Sequence, residues 1–274
     1  MLHRIVILGV VAVALAACGG GSAEDVSADD QDVVKATFEA QLKKATQAMT
    51  GESTPSKDKA YWLLGTNPSN KPCNVLIART DGIDLQVSVD INGTNPNESI
   101  LFDIFKANPG MPQPKILFSQ TSGLVQSSVV DQTVNGSTFT NSVEAHFTGA
   151  GGYEGLTSVR VFSDTGPDKN GAGASHVEEK CSGLTPFATF DAAKDGPAAA
   201  AKAKAFWEAK SGKKIKMPYN AGCGFDAGHL TCSFMVGNGD DAHDIPPDQL
   251  EATFEVTGGK LGNVLKASYD GSSN

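Results

Sequence analysis

Along most of the chain apolar and polar residues alternate in one of two rhythms, and the change of rhythm divides the sequence. Residues 5–17 form an unbroken apolar run of 13. Val34, Phe38, Leu42, Ala45 and Met49 then recur at spacings of 4, 4, 3 and 4, which places them on one face of a helix. Asp29, Asp30 or Asp32 supplies its N-cap and Gly51 ends it. From Tyr61 to Phe162 the period falls to 2. Residues 74–79 and 83–91 flank Thr80-Asp81-Gly82, and Leu85, Val87, Val89 and Ile91 alternate with Gln86, Ser88 and Asp90, as in a half-buried strand. Residues 124–134 and 137–147 flank Asn135-Gly136, a preferred hairpin pair, with Phe139, Val143, Ala145 and Phe147 on one face. Residues 158–162 add a strand, and Pro109, Pro112 and Pro114 mark a loop or a sheet edge.

Residues 163–185 lack periodicity and read as a linker. A second helix is expected over 197–210, with Pro197 in its first position and Gly212 as its stop, followed by strands at 230–236, 250–256 and 260–269. The pattern predicts an α+β fold: an antiparallel β-sheet meander with two packed helices. Both halves run helix, Cys, strands, an order that admits two similar helix-plus-sheet halves, although residue identity between them is poor. Hairpin turns without a strand-helix-strand rhythm exclude a doubly wound parallel sheet. The expected organisation is residues 1–17 as a signal peptide, 18–32 as a flexible tether, 33–185 as a first helix-plus-sheet unit and 186–274 as a second.

The first run is too short to span a bilayer, which takes about 20 apolar residues, but suits the core of an export signal behind His3 and Arg4. Its end, Leu15-Ala16-Ala17-Cys18, followed by Gly19, Gly20, Gly21 and Ser22, resembles the bacterial lipobox. The resemblance implies cleavage before Cys18 and acylation of its sulfur, so that lipid holds the mature chain to a membrane. Gly19 stands where an Asp would favour inner-membrane retention. In a Gram-negative host this implies the outer membrane, facing the periplasm or the exterior. The competing reading is an ordinary secretory peptide with a Cys at its end. The resemblance covers the first 22 residues and is silent on the folded body.

Four further cysteines, Cys73, Cys181, Cys223 and Cys232, are an even number in an exported chain and predict two disulfides. Of three pairings, Cys223 with Cys232 is favoured because Asp226, Gly224 and Gly228 can fold CGFDAGHLTC back on itself. Closing that loop is worth about 2.7 kcal/mol in chain entropy. Cys73 then pairs with Cys181. Zinc is disfavoured, since structural sites use closely spaced Cys pairs and none is present.

Charge narrows the partners. With 22 Lys and Arg against 31 Asp and Glu the net charge is -9, which disfavours nucleic acid. Lys202, Lys204, Lys210, Lys213, Lys214 and Lys216 form a basic concentration; Lys213, Lys214 and Lys216 are candidate contacts to lipid phosphate, an envelope protein or a glycan, against the plainer reading of a solvated helix end. Phe206 and Trp207 read as core. Tyr153, in GAGGYEG, is a candidate aromatic anchor at a loop tip. Asp164, Asp168 and Asn170 are spaced like oxygen ligands but lack the closing Glu of a calcium loop, and Asp240, Asp241, His243 and Asp244 read as an acidic loop; no metal or cofactor is expected. His146 and His229 are candidate general bases without a nucleophile at a telling spacing, and no G-x-S-x-G, H-E-x-x-H or Walker A pattern occurs. The expectation is a lipid-anchored envelope protein that binds or interacts rather than catalyses. The alternatives are an envelope hydrolase with a non-local active site and a small-ligand or metal carrier.

Overall fold

The computed structural model describes residues 28–52, 59–79, 85–90, 100–102, 114–132, 137–148, 151–167, 173–226, 228–237 and 247–271. Helix α1 (Ala28–Thr50) is followed by strands β1 (Lys59–Thr66), β2 (Pro72–Arg79), β3 (Leu85–Asp90), β4 (Ile100–Phe102), β5 (Lys115–Ser119), β6 (Leu124–Gln132) and β7 (Thr138–Phe147). A 3-10 turn (Tyr153–Gly155) leads into β8 (Leu156–Thr165) and β9 (Ser175–Asp191). Helix α2 (Ala192–Ser211) then precedes β10 (Pro218–Asp226), β11 (His229–Val236), β12 (Asp248–Thr257) and β13 (Lys260–Asp270). The protein is mostly β, and among the described residues every strand pairing is antiparallel.

Among the described residues two unequal sheets result, nine strands in the order β4-β3-β2-β1-β9-β8-β7-β6-β5 and four in the order β10-β11-β12-β13. The helix-then-strands order of the two halves is therefore not matched by a common architecture. The larger sheet curls into a half-barrel, which brings β3 against β8 and β4 against β7 across its hollow. Helix α1 lies on β5, β6 and β7 and puts Leu42, Ala45 and Met49 into the core lined by Val75, Ile77, Val87, Val143 and Val161. The spacing that predicts the helix thus also predicts its buried face. The helix begins at Ala28, inside the stretch expected as tether.

Strand β1 is buried on both faces: Tyr61 and Leu63 point into the half-barrel, whereas Trp62 joins a second core on the convex side. That core collects Ala188 and Phe190 of β9, Ala199, Ala200 and Ala203 of α2, and Leu230, Phe234, Leu250 and Phe254 of the small sheet. A central strand covered on both sides reads as a continuous apolar run rather than an alternating one, hence YWLL.

Three sequence readings need correction. Much of the segment read as a linker, 163–185, is strand: β8 runs to Thr165 and β9 from Ser175, pairing Asp164 with His176 and Val159 with Cys181. Its first four residues are exposed on both faces of the sheet, so no alternation marks them. Strand β9 then continues unbroken past 185–186, where the sequence places the division between units. The second helix begins at Ala192 rather than 197, because the Asp191 carboxylate accepts from the N–H groups of Ala193 (3.1 Å) and Lys194 (3.2 Å) and Asp195 accepts in return from the Asp191 N–H (2.9 Å). This reciprocal cap outweighs a proline placed in the second turn. Finally, Tyr153 is not at an open loop tip but is partly buried against the first core. The hairpin pairs Thr80-Asp81-Gly82 and Asn135-Gly136 lie outside the described residues.

Both disulfides form, Cys73–Cys181 and Cys223–Cys232. Cys223 and Cys232 are direct cross-strand partners of β10 and β11. Among the described residues no helix is long and apolar enough to cross a membrane.

Candidate functional site

Where the convex face of the half-barrel leaves the cover of α2, three elements enclose an open groove of about 840 Å³. Its floor is the outer face of β1, β2 and β3: Trp62 and Leu76 sit opposite each other in the ladder, and the row Ala60, Ala78, Gln86 lies beside them. One wall is the first half of α2, where Ala192, Ala193, Gly196, Pro197 and Ala200 present almost no side-chain bulk. Gly196 has a steric reason: a Cβ there would stand 3.3 Å from the Cβ of Ala221 on β10. The third wall is β10 and the residue before it, with Met217, Tyr219 and Asn220 at the rim.

The lining is mostly apolar. Among the described residues it holds no Asp, Glu, Lys, Arg or His. Gln86 and Asn220 bring amides and Tyr219 a phenol, which donates to the Gly237 carbonyl at 2.9 Å. Pro197 carries no N–H and so withholds from the Ala193 carbonyl the donor that a helix normally supplies four residues on. Strand β10 pairs with β11 and with no other described strand. The strand itself is irregular: Pro218 lacks a donor, Asn220 is held at φ 49°, and the register with β11 slips between Tyr219 and Gly222.

A smaller cleft of about 330 Å³ opens on the other side of α2, over Phe190 and Leu261, with Lys194, Lys202 and Lys260 at its rim. Its positive charge is largely answered within the protein. Lys194 meets Asp191 at 3.3 Å, Lys260 meets Asp195 at 3.9 Å, and Lys202 donates to the Gly262 carbonyl at 3.0 Å.

The basic concentration singled out in the sequence is likewise partly internal. Glu208 accepts from Lys204, from Lys214 at 2.9 Å and from the Ile215 N–H at 3.0 Å, tying the segment after α2 back onto the helix. The Lys204 ammonium first, then Lys214 and the Ile215 N–H, hold the Glu208 carboxyl down at about 2. Lys210 lies over the Phe206 ring at 4.4 Å. Lys213 and Lys216 are exposed and, among the described residues, have no carboxylate partner; neither they nor Lys214 line the groove. Trp207 packs on Tyr269 at 5.0 Å between ring centres, as a core residue does.

Tyr153 packs against Tyr61 with ring centres 4.9 Å apart and planes tilted by 45°, and its phenol oxygen accepts from Thr189 Oγ1 at 3.2 Å. His146 is exposed on β7 and His229 is half-buried at the start of β11; neither lines either cleft. His176 is a more constrained histidine than the sequence suggests. Asp164 at Nδ1 and Glu178 at Nε2 hold it on the outer face of β8 and β9, and these carboxylates, Asp164 foremost, raise its pKa. With both ring nitrogens engaged by carboxylates it has none left to activate a hydroxyl. Arg160 extends the network to Glu144 at 3.2 Å and to Glu178 at 3.0 Å. Among the described residues no group of His, Cys, Asp and Glu is arranged to hold a metal ion. Asp168, Asn170, Asp240, Asp241, His243, Asp244 and Cys18 lie outside the described residues.

The groove was not legible in the sequence, because its walls come from residues 60–86, 190–200 and 217–223. The one local sign was the run of small residues in AAKDGPAAAA, which reads equally as plain helix. No family model, no curated protein and no solved structure matches this chain.

Proposed function

We propose that this chain is a lipid-anchored binding module of the cell envelope, held to its membrane through Cys18, and that the groove between α2, β10 and the outer face of β1–β3 is where it binds. The lipobox resemblance supports the anchor, and in a Gram-negative host Gly19 favours the outer membrane. The two disulfides are in keeping with an oxidising compartment. The observation that carries the binding reading is the groove itself: about 840 Å³, apolar, and of the size of small-molecule sites, roughly 300–1,000 Å³.

Between the alternatives, the lining favours a small-ligand carrier over a hydrolase. Hydrolysis needs a nucleophile and a base within hydrogen-bond reach. Among the described residues the groove offers no Ser, His or carboxylate, and His146 and His229 stand elsewhere.

The test is site-specific photocrosslinking in intact cells, with a photoreactive side chain of methionine size in place of Met217 on the exposed groove rim, or the same side chain in place of Ala205, exposed on α2 outside it. A defined adduct at 217 and none at 205 is the expected result. Equal labelling at both positions, or none at 217, overturns the reading.

A further inference from the structure

Building on the reading of the groove as a binding site, we infer that its occupant is the alkyl chain of an uncharged lipid carrying a neutral hydrogen-bonding head, such as a monoacylglycerol, and not a peptide strand. Three observations converge on this chemistry.

The first is charge. The chain carries a net -9, yet among the described residues the groove lining holds no Asp, Glu, Lys, Arg or His. A carboxylate or ammonium drawn into it would lose water and find no opposite charge. An uncharged occupant meets no such cost.

The second is the state of the β10 edge. An open strand beside an apolar groove would ordinarily invite a partner strand, since backbone hydrogen bonds supply the affinity in that mode. Here Pro218 has no N–H, Asn220 sits at φ 49° and the register breaks before Gly222. Proline and bulges are the devices that keep an edge from being extended. The groove therefore suits a molecule that asks nothing of the β10 backbone, which describes an alkyl chain.

The third is the placing of the polar groups. Gln86 lies on the β3 side and Asn220 on the β10 rim, and the Ala193 carbonyl on the α2 wall lacks its helical donor because residue 197 is proline. The Asn220 amide spends one hydrogen on the Met235 sulfur at 3.9 Å, a weak acceptor, and keeps the rest of its capacity. Two amides and a carbonyl fit neutral hydroxyl and ester groups: the hydroxyl donates and accepts, and the ester accepts from an amide N–H.

The protein carries its own reporter, because Trp62 lines the groove while Trp207 packs against Tyr269 outside it. Residues 18–274 with Cys18→Ser, exported through a non-lipoprotein signal so that the disulfides form, would be titrated below its micelle concentration with a monoacylglycerol brominated on the chain. Bromine quenches tryptophan on contact. In the Trp207→Phe variant emission should fall at least twofold with saturation, and in the Trp62→Phe variant it should not fall. Ala193→Phe, which fills the groove from an exposed position, should weaken binding about tenfold, and so should a charge placed on the floor by Ala78→Lys. Circular dichroism and Trp207 emission check that both variants remain folded. The inference is overturned by absent quenching, by equal quenching of both tryptophans, or by a brominated alkyl carboxylate or alkylammonium that binds as tightly as the neutral lipid. A protein adduct at position 217 in cells, with no quenching by the lipid, would leave the binding reading standing and remove this one.

Discussion

Glu208 shows how a single side chain fixes a boundary that the sequence marks with Gly212 alone. Its carboxylate takes Lys204 and Lys214 and the Ile215 N–H together, so the chain leaving α2 is turned back toward β10. The Lys204 Nζ also donates to the Ile215 carbonyl at 2.8 Å, which satisfies both polar groups of that peptide neighbourhood. The cations and the N–H stabilise the ionised form, which is why the carboxyl sits at about 2 instead of the ordinary 4.5. A depressed carboxyl pKa favours the folded state above the unfolded value, and the contribution is lost as pH falls from about 4.5 toward 2. Glu208→Gln should therefore be less stable than the native chain at pH 6, and the difference should close on acidification. Urea midpoints of both proteins from pH 6 to pH 2 measure this. A difference that stays constant across that range would mean that the carboxylate's charge has no part in holding the segment.

Among the elements, β1 is the most constrained, and Gly65 shows why. Strand β1 lies between β2 and β9, with Gly65 opposite Cys73 of β2, while Cys181 comes from β9 on the other side. The disulfide thus passes over β1 at the one residue without a side chain. A Cβ on Gly65 would stand 2.5 Å from the Ser182 carbonyl oxygen and 3.0 Å from both Cys181 Sγ and Leu184 Cδ2. Gly65→Ala should cost about 1–3 kcal/mol by overpacking. Because the closest contact is backbone, the loss should persist when Cys73 and Cys181 are both changed to Ala; denaturant unfolding in the two backgrounds tests this, and full recovery without the disulfide would refute it. None of this could be read from the sequence, where Gly65 is one glycine among 30 and its clash partners lie more than 100 positions away. What could be read is what depends on neighbours in sequence: the apolar face of α1, the alternation of β3 and β7, and the Cys223–Cys232 hairpin. The readings that failed are those in which tertiary context decides. The first residues of β9 extend beyond the core and lose their alternation, and the reciprocal Asp191–Asp195 cap starts α2 ahead of Pro197.

For the whole molecule, the question is whether two cores mean two independent units. The sequence suggests a division near 185, and each core has its own helix and its own disulfide. Yet β1 and β9 belong to both: Tyr61 and Leu63 fill the half-barrel from the same strand that sends Trp62 out to α2, and β9 contributes Cys181 to one core and Phe190 to the other. Neither strand can be lost to one side and kept by the other, since its ladder hydrogen bonds are common property. The groove depends on the same coupling, because its floor comes from the large sheet and its walls from α2 and the small one. Trp62, 2% exposed, is the largest side chain in the junction, and its removal should cost about 3–5 kcal/mol through lost burial and the cavity left behind. If the coupling holds, Trp62→Ala should lower amide-exchange protection by similar amounts in β7 and β8, whose buried apolar residues belong to the other core, and in β11 and β12, which supply Trp62's own. Hydrogen exchange followed by mass spectrometry resolves the two sets of strands. A loss confined to β11 and β12, with β7 and β8 protected as before, would mean that the half-barrel stands alone and that the convex core is an appended unit.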